Sequence, residues 1–349
     1  MIRVGIAGIG FMGMIHYLTY QKLSGIEVTA ISSRDPKKRA GDWRGIQGNF
    51  GPPGEEMDLG DIVAHETIDD LLADSNVDLV DITLPPFRHA DAAIAALESG
   101  KHVFCEKPLT LDAESAAQVV AAAKRCDRIL LVGHVLPFFP EYQWARSTVD
   151  GGEYGKLLGG HFRRTISDPT WLENYWQAAK VGGPMLDLHV HDAHFIRYLF
   201  GMPASVTTRG RMHGECAESW MTIFNYPDPD LLVTAASGTI GQQGRPFIHG
   251  FEIQLEQATL AFEFGVIGEV GKYLCQPTLF TPDGQVTHPD LGDGDPMRAF
   301  EIQLTEVAQC ISAGKSSQIL GGDLAGDAIT LCQLQTESLK CGETVVVHR

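Results

Sequence analysis

Residues 2–13 read Ile2-Arg3-Val4-Gly5-Ile6-Ala7-Gly8-Ile9-Gly10-Phe11-Met12-Gly13. The apolar run Ile2–Ala7 reads as a strand entering a turn, and the segment MGMIHYLTYQKL that follows reads as a helix. Gly8, Gly10 and Gly13 form a G-x-G-x-x-G pattern between them, and strand-then-helix is the context a dinucleotide-binding turn requires. Gly8 allows the tight turn, Gly10 lets the backbone approach a pyrophosphate, and Gly13 lets helix and strand pack closely. Phe11 and Met12 lie inside the same turn. The free N–H groups at the helix start then face phosphate charge.

Working outward, strands and helices alternate. VTAIS, VDLVDITL, HVFCE and ILLVGH read as strands. Helices are expected from Asp35-Pro36 and over ADAAIAALESG and ESAAQVVAAAKR. Such alternation means βαβ units and a parallel, doubly wound sheet. The Gly/Pro-rich stretch from Gly41 to Gly60 is expected to be an extended surface loop. From about Gly133 the pattern changes to strands joined by turns, which suggests a largely antiparallel sheet. It is interrupted by one helical block, PMLDLHVHDAHFIRYLFG, and followed by two C-terminal helices and a last strand. The reading is α/β: a Rossmann domain over residues 1–132, then an α/β domain over 133–349 with a large, mostly antiparallel open sheet. The C-terminal helices are expected to pack back on the first domain.

With 349 residues, 44% hydrophobic and 20% charged, the chain has the composition of an ordinary globular protein of two domains. Its formal charge of −17 repels phosphate backbones and anionic membranes, so neither nucleic acid nor a membrane is expected as partner. The seven cysteines are odd in number and scattered, without a C-x-x-C pair. That argues for reduced thiols in a cytoplasm. The apolar N-terminal run carries the glycine pattern, a single Arg3 and no polar cleavage region, so it is read as a strand and not as a signal peptide. No stretch approaches the length needed to cross a bilayer.

An acid that would hold the ribose 2′-hydroxyl is expected about twenty residues after the glycines. The second strand instead ends Ile31-Ser32-Ser33-Arg34, and Asp35 is better placed as a helix cap. Nothing at Ser33 repels a 2′-phosphate, and Arg34 could stack on adenine and pair with that phosphate, helped by Lys37 or Lys38. The pattern therefore favours NADP over NAD. Arg39 is expected on a solvated helix face.

Two further patterns carry chemistry. Glu106-Lys107-Pro108 ends the strand HVFC on the edge that faces a cofactor crevice, and the proline suggests a cis bond. In the helical block, Asp187 and His191 are four apart, about 40° in azimuth, and His194 lies about 20° to the other side. One face thus presents Asp187, His191 and His194. His189 lies on the opposite side, where a structural role is expected, and Asp192 is expected to make structural hydrogen bonds. Taken singly, each pattern also fits a plain turn or helix face. A zinc site is not expected: H-E-x-x-H is absent, and the H-x-H of metal hydrolases needs a strand.

Together, GIAGIGFMG, PPFRH, GKHVFCEKP, GGPMLDLHVHDAH and the closing ITLCQLQTESLKCGETVVV resemble the Gfo/Idh/MocA family in order and spacing, over essentially the whole chain. The resemblance implies an NAD(P)-dependent dehydrogenase or reductase acting on a CH–OH group of a sugar or polyol. It implies Lys107, Asp187 and His191 as catalytic groups: His191 the general base, Lys107 on the substrate oxygen, Asp187 orienting substrate or imidazole. It adds Pro85, His89, Glu106 and Lys107 to the cofactor contacts, with Ser33 and Arg34. It makes Trp176 and His194 substrate contacts beside the catalytic three, with Trp171 a further aromatic wall. It also implies a substrate site between the domains and a homo-oligomer, dimer or tetramer, through the C-terminal sheet. The chain departs from the family pattern at Leu84-Pro85, at Gly133–Phe138, at Gln177 and at His194. Two other activities fit the same residues: a redox-neutral glycosidase or epimerase that retains its nucleotide, and a non-catalytic nucleotide sensor. The latter has no need of Lys107, Asp187 and His191 together.

Overall fold

β1 (Ile2–Ala7) is buried almost throughout, as a strand covered on both faces must be. The computed structural model describes residues 1–170, 172, 174–292 and 294–348, so Trp171 lies outside the described residues. The chain divides into two compact units, Met1–Phe138 with Asp295–Gly326, and Phe139–Gly294 with Asp327–Arg349. In the first, β1 is followed by α1 (Phe11–Tyr20), β2 (Ile26–Ser32), α2 (Pro36–Arg39), β3 (Val63–His65) and α3 (Ile68–Ala73). Then come β4 (Leu79–Ile82), α4 (His89–Glu98), β5 (His102–Glu106), α5 (Ala113–Cys126) and β6 (Leu130–Gly133). Among the described residues the six strands pair in parallel in the order β3-β2-β1-β4-β5-β6. That is the doubly wound order, with its reversal between β1 and β4. β3 and α3 had no counterpart in the sequence reading, because a three-residue strand with two exposed residues makes no periodic signal. The helix expected from Asp35 is a single turn, with the Asp35 carboxylate accepting from the Lys37 N–H.

The second unit opens with α6 (Pro140–Gly151), also unread in the sequence although proline at its first turn and Gly152 after its last frame it. β7 (Leu157–Ser167), α7 (Ala178–Val181) and a π-turn over Met185–His189 follow, and the π-turn runs directly into α8 (Val190–Phe200). Strands β8 (Ser205–His213), β9 (Cys216–Asn225), β10 (Leu232–Ile240), β11 (Phe247–Leu255), β12 (Ala258–Ile267), β13 (Val270–Phe280) and β14 (Val286–Thr287) complete the run. The described strands form one open sheet, β14-β13-β12-β11-β7-β10-β9-β8-β15, where β15 is Thr344–Val346 near the chain end. It is antiparallel except where β7 and β10 run side by side in parallel. One face is closed by aromatic packing: Tyr142 of α6 and Phe162 of β7 meet Phe195 of α8 edge-on.

Before β15 the chain forms α9 (Pro296–Ala313) and α10 (Gly322–Cys341). α9 belongs to the first unit, where Met297 and Phe300 pack with Ile15 of α1. The Gly/Pro-rich stretch before β3 is a mostly exposed loop, as expected, but an anchored one. Its Trp43 is fully buried, edge-on to Tyr17, and donates its indole N–H to the Lys38 carbonyl. Phe50 stacks on Phe300 and meets Phe11 edge-on. The segment therefore packs against α1 and α9, and its two aromatic side chains give it the hydrophobic anchorage a loose loop lacks. We expect Trp43→Ala to cost about 3–5 kcal/mol of stability, read by chemical denaturation. A loss below 1 kcal/mol would show that the loop is not part of the core.

Candidate nucleotide and catalytic site

All six first-unit strands run the same way, so the turn after β1 and the turn after β5 lie on the same edge of the sheet. At the first turn Gly8 has φ of 104°, open only to glycine, and a Cβ on Gly13 would stand 2.2 Å from the Gly8 carbonyl oxygen. A Cβ on Gly10 would meet nothing within 4 Å. The backbone at Gly10, which caps α1, therefore borders open space at a helix N-terminus, a cradle suited to a pyrophosphate. Thr83, at the end of β4, locks the turn by donating its hydroxyl to the Gly8 carbonyl at 2.6 Å.

A groove of about 700 Å³ starts at this turn and is lined by Gly8, Gly10, Phe11, Met12 and Pro85. Ser33, Arg34 and Lys38 line it farther along, where an adenosine ribose would lie. Arg34 is exposed, and the Lys38 ammonium donates to the Ile9 carbonyl at 2.6 Å, tying α2 to the glycine turn. Two acids unforeseen in the sequence, Glu66 and Asp69, line the same groove. Arg39 is not simply solvated: it donates to the Ser33 carbonyl at 2.7 Å and pairs with Glu66 at 3.3 Å. These groups come from β3–α3, the part of the fold that left no periodic trace, and only the acidic pair flanking Thr67-Ile68 could have hinted at them.

At the second turn the Lys107-Pro108 peptide is cis. The Glu106 carboxylate is almost wholly out of water and accepts the Lys107 backbone N–H at 3.1 Å. Its other oxygen lies 3.3 Å from Nε2 of His16, whose Nδ1 lies 2.9 Å from Asp81. A Cβ on Gly133 would come within 2.5 Å of that oxygen, so the glycine leaves the carboxylate its room. His89 supports the turn from the other side. Its Nδ1 is 2.7 Å from the Pro108 carbonyl and its Nε2 is 2.7 Å from the Leu84 carbonyl. Burial pushes the His89 pKa down, against the pull of the two carbonyls. The ring thus braces the backbone next to Pro85 and Lys107. Neither His16 nor Asp81 was singled out in the sequence, although an aspartate inside the apolar strand LVDI was a visible signal.

In the second unit Asp187 lies in the π-turn and His191 and His194 lie in α8. Because i→i+5 bonding puts more residues in each turn, the azimuth worked out for a continuous α-helix does not hold between Asp187 and His191. His191 and His194, three apart within α8, keep an offset of about 60°. Asp187 and His191 are half-buried and His194 is fully buried. The neighbours take structural parts. Asp192 receives two bonds from the buried Arg164 of β7, at 2.6 and 3.1 Å. His189 shares a hydrogen bond with the Ser237 hydroxyl at 2.8 Å, and burial takes its pKa down to about 4 against the pull of Asp192. Trp176 donates to Asp168 at 3.0 Å and stacks on His213, leaving one side half-open. Lys107 stands on the first unit and Asp187, His191, His194 and Trp176 on the second. Among the described residues no group of three or more His, Cys, Asp or Glu is arranged to hold a metal ion.

The chain is similar in sequence and fold to known proteins. Residues 2–134 match the oxidoreductase family with an NAD-binding Rossmann fold, and residues 142–270 match the GFO/IDH/MocA C-terminal domain. Over 268 residues, 69% of this chain and 67% of the relative, it is 25% identical to 2,7-anhydro-N-acetylneuraminate hydratase of Escherichia coli (strain K12). Over 202 residues it is 33% identical to inositol 2-dehydrogenase of Corynebacterium glutamicum (strain R), covering 57% of this chain and 54% of that one. Levoglucosan dehydrogenase in complex with NADH and levoglucosan shares the fold over the full length of both chains, with a TM-score of 0.80 at 20% identity. With both domains matched in order, the chain belongs to the GFO/IDH/MocA oxidoreductase family, built on an NAD-binding Rossmann fold.

Proposed function

We propose that the protein moves a hydride between a carbinol carbon of a sugar, polyol or sugar derivative and a nicotinamide nucleotide. The observation that carries this reading is the pairing, on one sheet edge, of an open glycine cradle with a braced turn that presents Lys107. When bound, the nicotinamide supplies the hydride acceptor. His191 takes the hydroxyl proton as general base, since an imidazole titrates near working pH. Lys107 holds the same oxygen and stabilises the negative charge that builds on it. Asp187 orients the substrate or the imidazole, and Trp176 and His194 contribute to the substrate pocket. The inositol and levoglucosan dehydrogenases among the similar proteins support the substrate class.

A redox-neutral reaction with a retained nucleotide is the second reading, favoured by the likeness to a hydratase. A spectrophotometric screen of aldoses, inositols, sugar acids and glycosides with each nucleotide separates the two. Steady nicotinamide reduction supports the dehydrogenase; no net reduction, with nucleotide released only on denaturation, supports the other. In Lys107→Ala we expect turnover to fall by about 10²–10³ while nucleotide affinity holds. Lost binding with unchanged chemistry would overturn the assignment.

For the nucleotide we favour NADP over NAD. No acid stands at Ser33 and exposed Arg34 lines the groove, whereas Glu66 and Asp69 oppose a 2′-phosphate. Arg34→Ala should weaken NADPH binding about tenfold more than NADH binding, as loss of a charge-assisted pair does. Equal losses for both would remove Arg34 from the choice.

We also propose a cytoplasmic homo-oligomer, dimer or tetramer, formed through the second-unit sheet. The seven cysteines are free, and among the described residues no helix is long and apolar enough to cross a membrane. On one face of the sheet Met221 and Ile223 of β9 stand exposed, with Leu232 of β10 exposed beside them. The double variant Met221→Asp/Ile223→Asp should shift the protein towards monomer in light scattering, and a monomeric parent protein would sink this reading.

A further inference from the structure

Beneath the Glu106-Lys107-Pro108 turn lies a line of buried ionisable groups to which the proposed reaction gives no part. His16 reaches it from the inner face of α1. Its Nδ1 is 2.9 and 3.2 Å from the two oxygens of Asp81 on β4, and its Nε2 is 3.3 Å from Glu106 at the end of β5. The His16 and Asp81 side chains are completely out of water and Glu106 nearly so. A neutral imidazole carries one N–H. One nitrogen would then turn a lone pair towards a carboxylate, and two negative charges would sit buried with no counter-charge, an arrangement of high cost. A single added proton makes the Asp81 contact a charge-assisted hydrogen bond and the Glu106 approach an ion pair.

The surroundings leave that proton to His16. From β5, Phe104 lies against the ring and Cys105 lies near both carboxylates; from α9, Phe300 approaches the ring. From α1, the buried Tyr20 lies near Asp81. Burial and the neighbouring carboxylates push Cys105 and Tyr20 well up, so both stay neutral. His89 and Lys107 feel each other across the turn, and Glu106 acts on His89.

We propose that His16 is a positioning residue, held as an imidazolium between Asp81 and Glu106. In that state it clamps the Glu106 carboxylate against the Lys107 peptide N–H and leaves one net negative charge, not two, next to Lys107. The proposal rests on the reading of Lys107 as the group that holds the substrate oxygen. Removing the positive charge leaves two buried carboxylates beside Lys107 without their counter-charge. Burial opposes charge on the ring, yet Asp81 and then Glu106 outweigh it and push the His16 pKa up to about 10. Because the folded value lies above the unfolded one of about 6.5, this stabilisation is complete below that pH and is lost as pH rises through about 10.

The test is ¹⁵N NMR of the full-length chain with labelled histidine at pH 8.5. Of thirteen histidines, one ring is expected to show both nitrogens as imidazolium, and its signal should vanish in His16→Gln. Asp81→Asn, which keeps the shape and removes one charge, should lower that titration by about one unit or more. If every ring is neutral at pH 8.5, the imidazolium is overturned. In turnover, His16→Gln should move the basic limb of the kcat/KM profile up by about one unit, and an unmoved limb overturns the positioning role. Full activity in Lys107→Ala would instead sink the reading of Lys107, with the NMR result still deciding the charge on His16.

Discussion

The close approach of Gly13 to the Gly8 carbonyl sets the geometry on which the first unit depends. With no side chain at Gly13, α1 leaves β1 at once and lies flat on the sheet. Its inward residues then fall on β4 and β5, where His16 finds Asp81 and Glu106. Its other flank receives Trp43 on Tyr17, and Ile15 meets Met297 and Phe300 of α9. A β-carbon at that point would force helix and strand apart. It would disturb the nucleotide cradle, the Glu106 clamp and the aromatic packing of the long loop together.

The first unit is largely legible because its elements obey strong local rules: buried strands as short apolar runs, helices between them, glycines where the backbone turns. The two-sheet α/β fold is read correctly on those grounds. What escapes depends on tertiary neighbours. Arg39 looks solvated in a basic tetrapeptide, but the end of β2 supplies a carbonyl for it. Gly41–Gly60 looks like an insertion because its composition is that of a loop, while Trp43 and Phe50 find aromatic partners far away in sequence. Of the site, the glycines and Lys107 stand out by pattern. His16 and Asp81 sit within otherwise apolar segments, and their meeting is visible only once the sheet is assembled.

The two units handle buried charge differently. In the second, Arg164 and Asp192 pair through a bidentate, buried contact. The pair ties β7 to the residue next to His191, and so fixes the start of α8 against the sheet. In the first, the central group is an imidazole between two carboxylates. The Arg164 pair joins a donor to an acceptor directly, whereas the proposed hold of His16 on both carboxylates needs one added proton.

The π-turn at Met185–His189 determines which way α8 faces. Residues beyond such a turn are shifted in phase relative to an uninterrupted helix, by an amount comparable to the roughly 100° each α-helical residue advances. Without it, Asp192 would swing away from Arg164 and the fully buried His194 would change faces with its neighbours. A one-residue deletion that turned this stretch into plain α-helix would cancel that offset and leave everything downstream to Gly201 facing as it does, whereas losing the π-turn at unchanged length would rotate it. Chain length here, independent of which residues are present, carries information about the site.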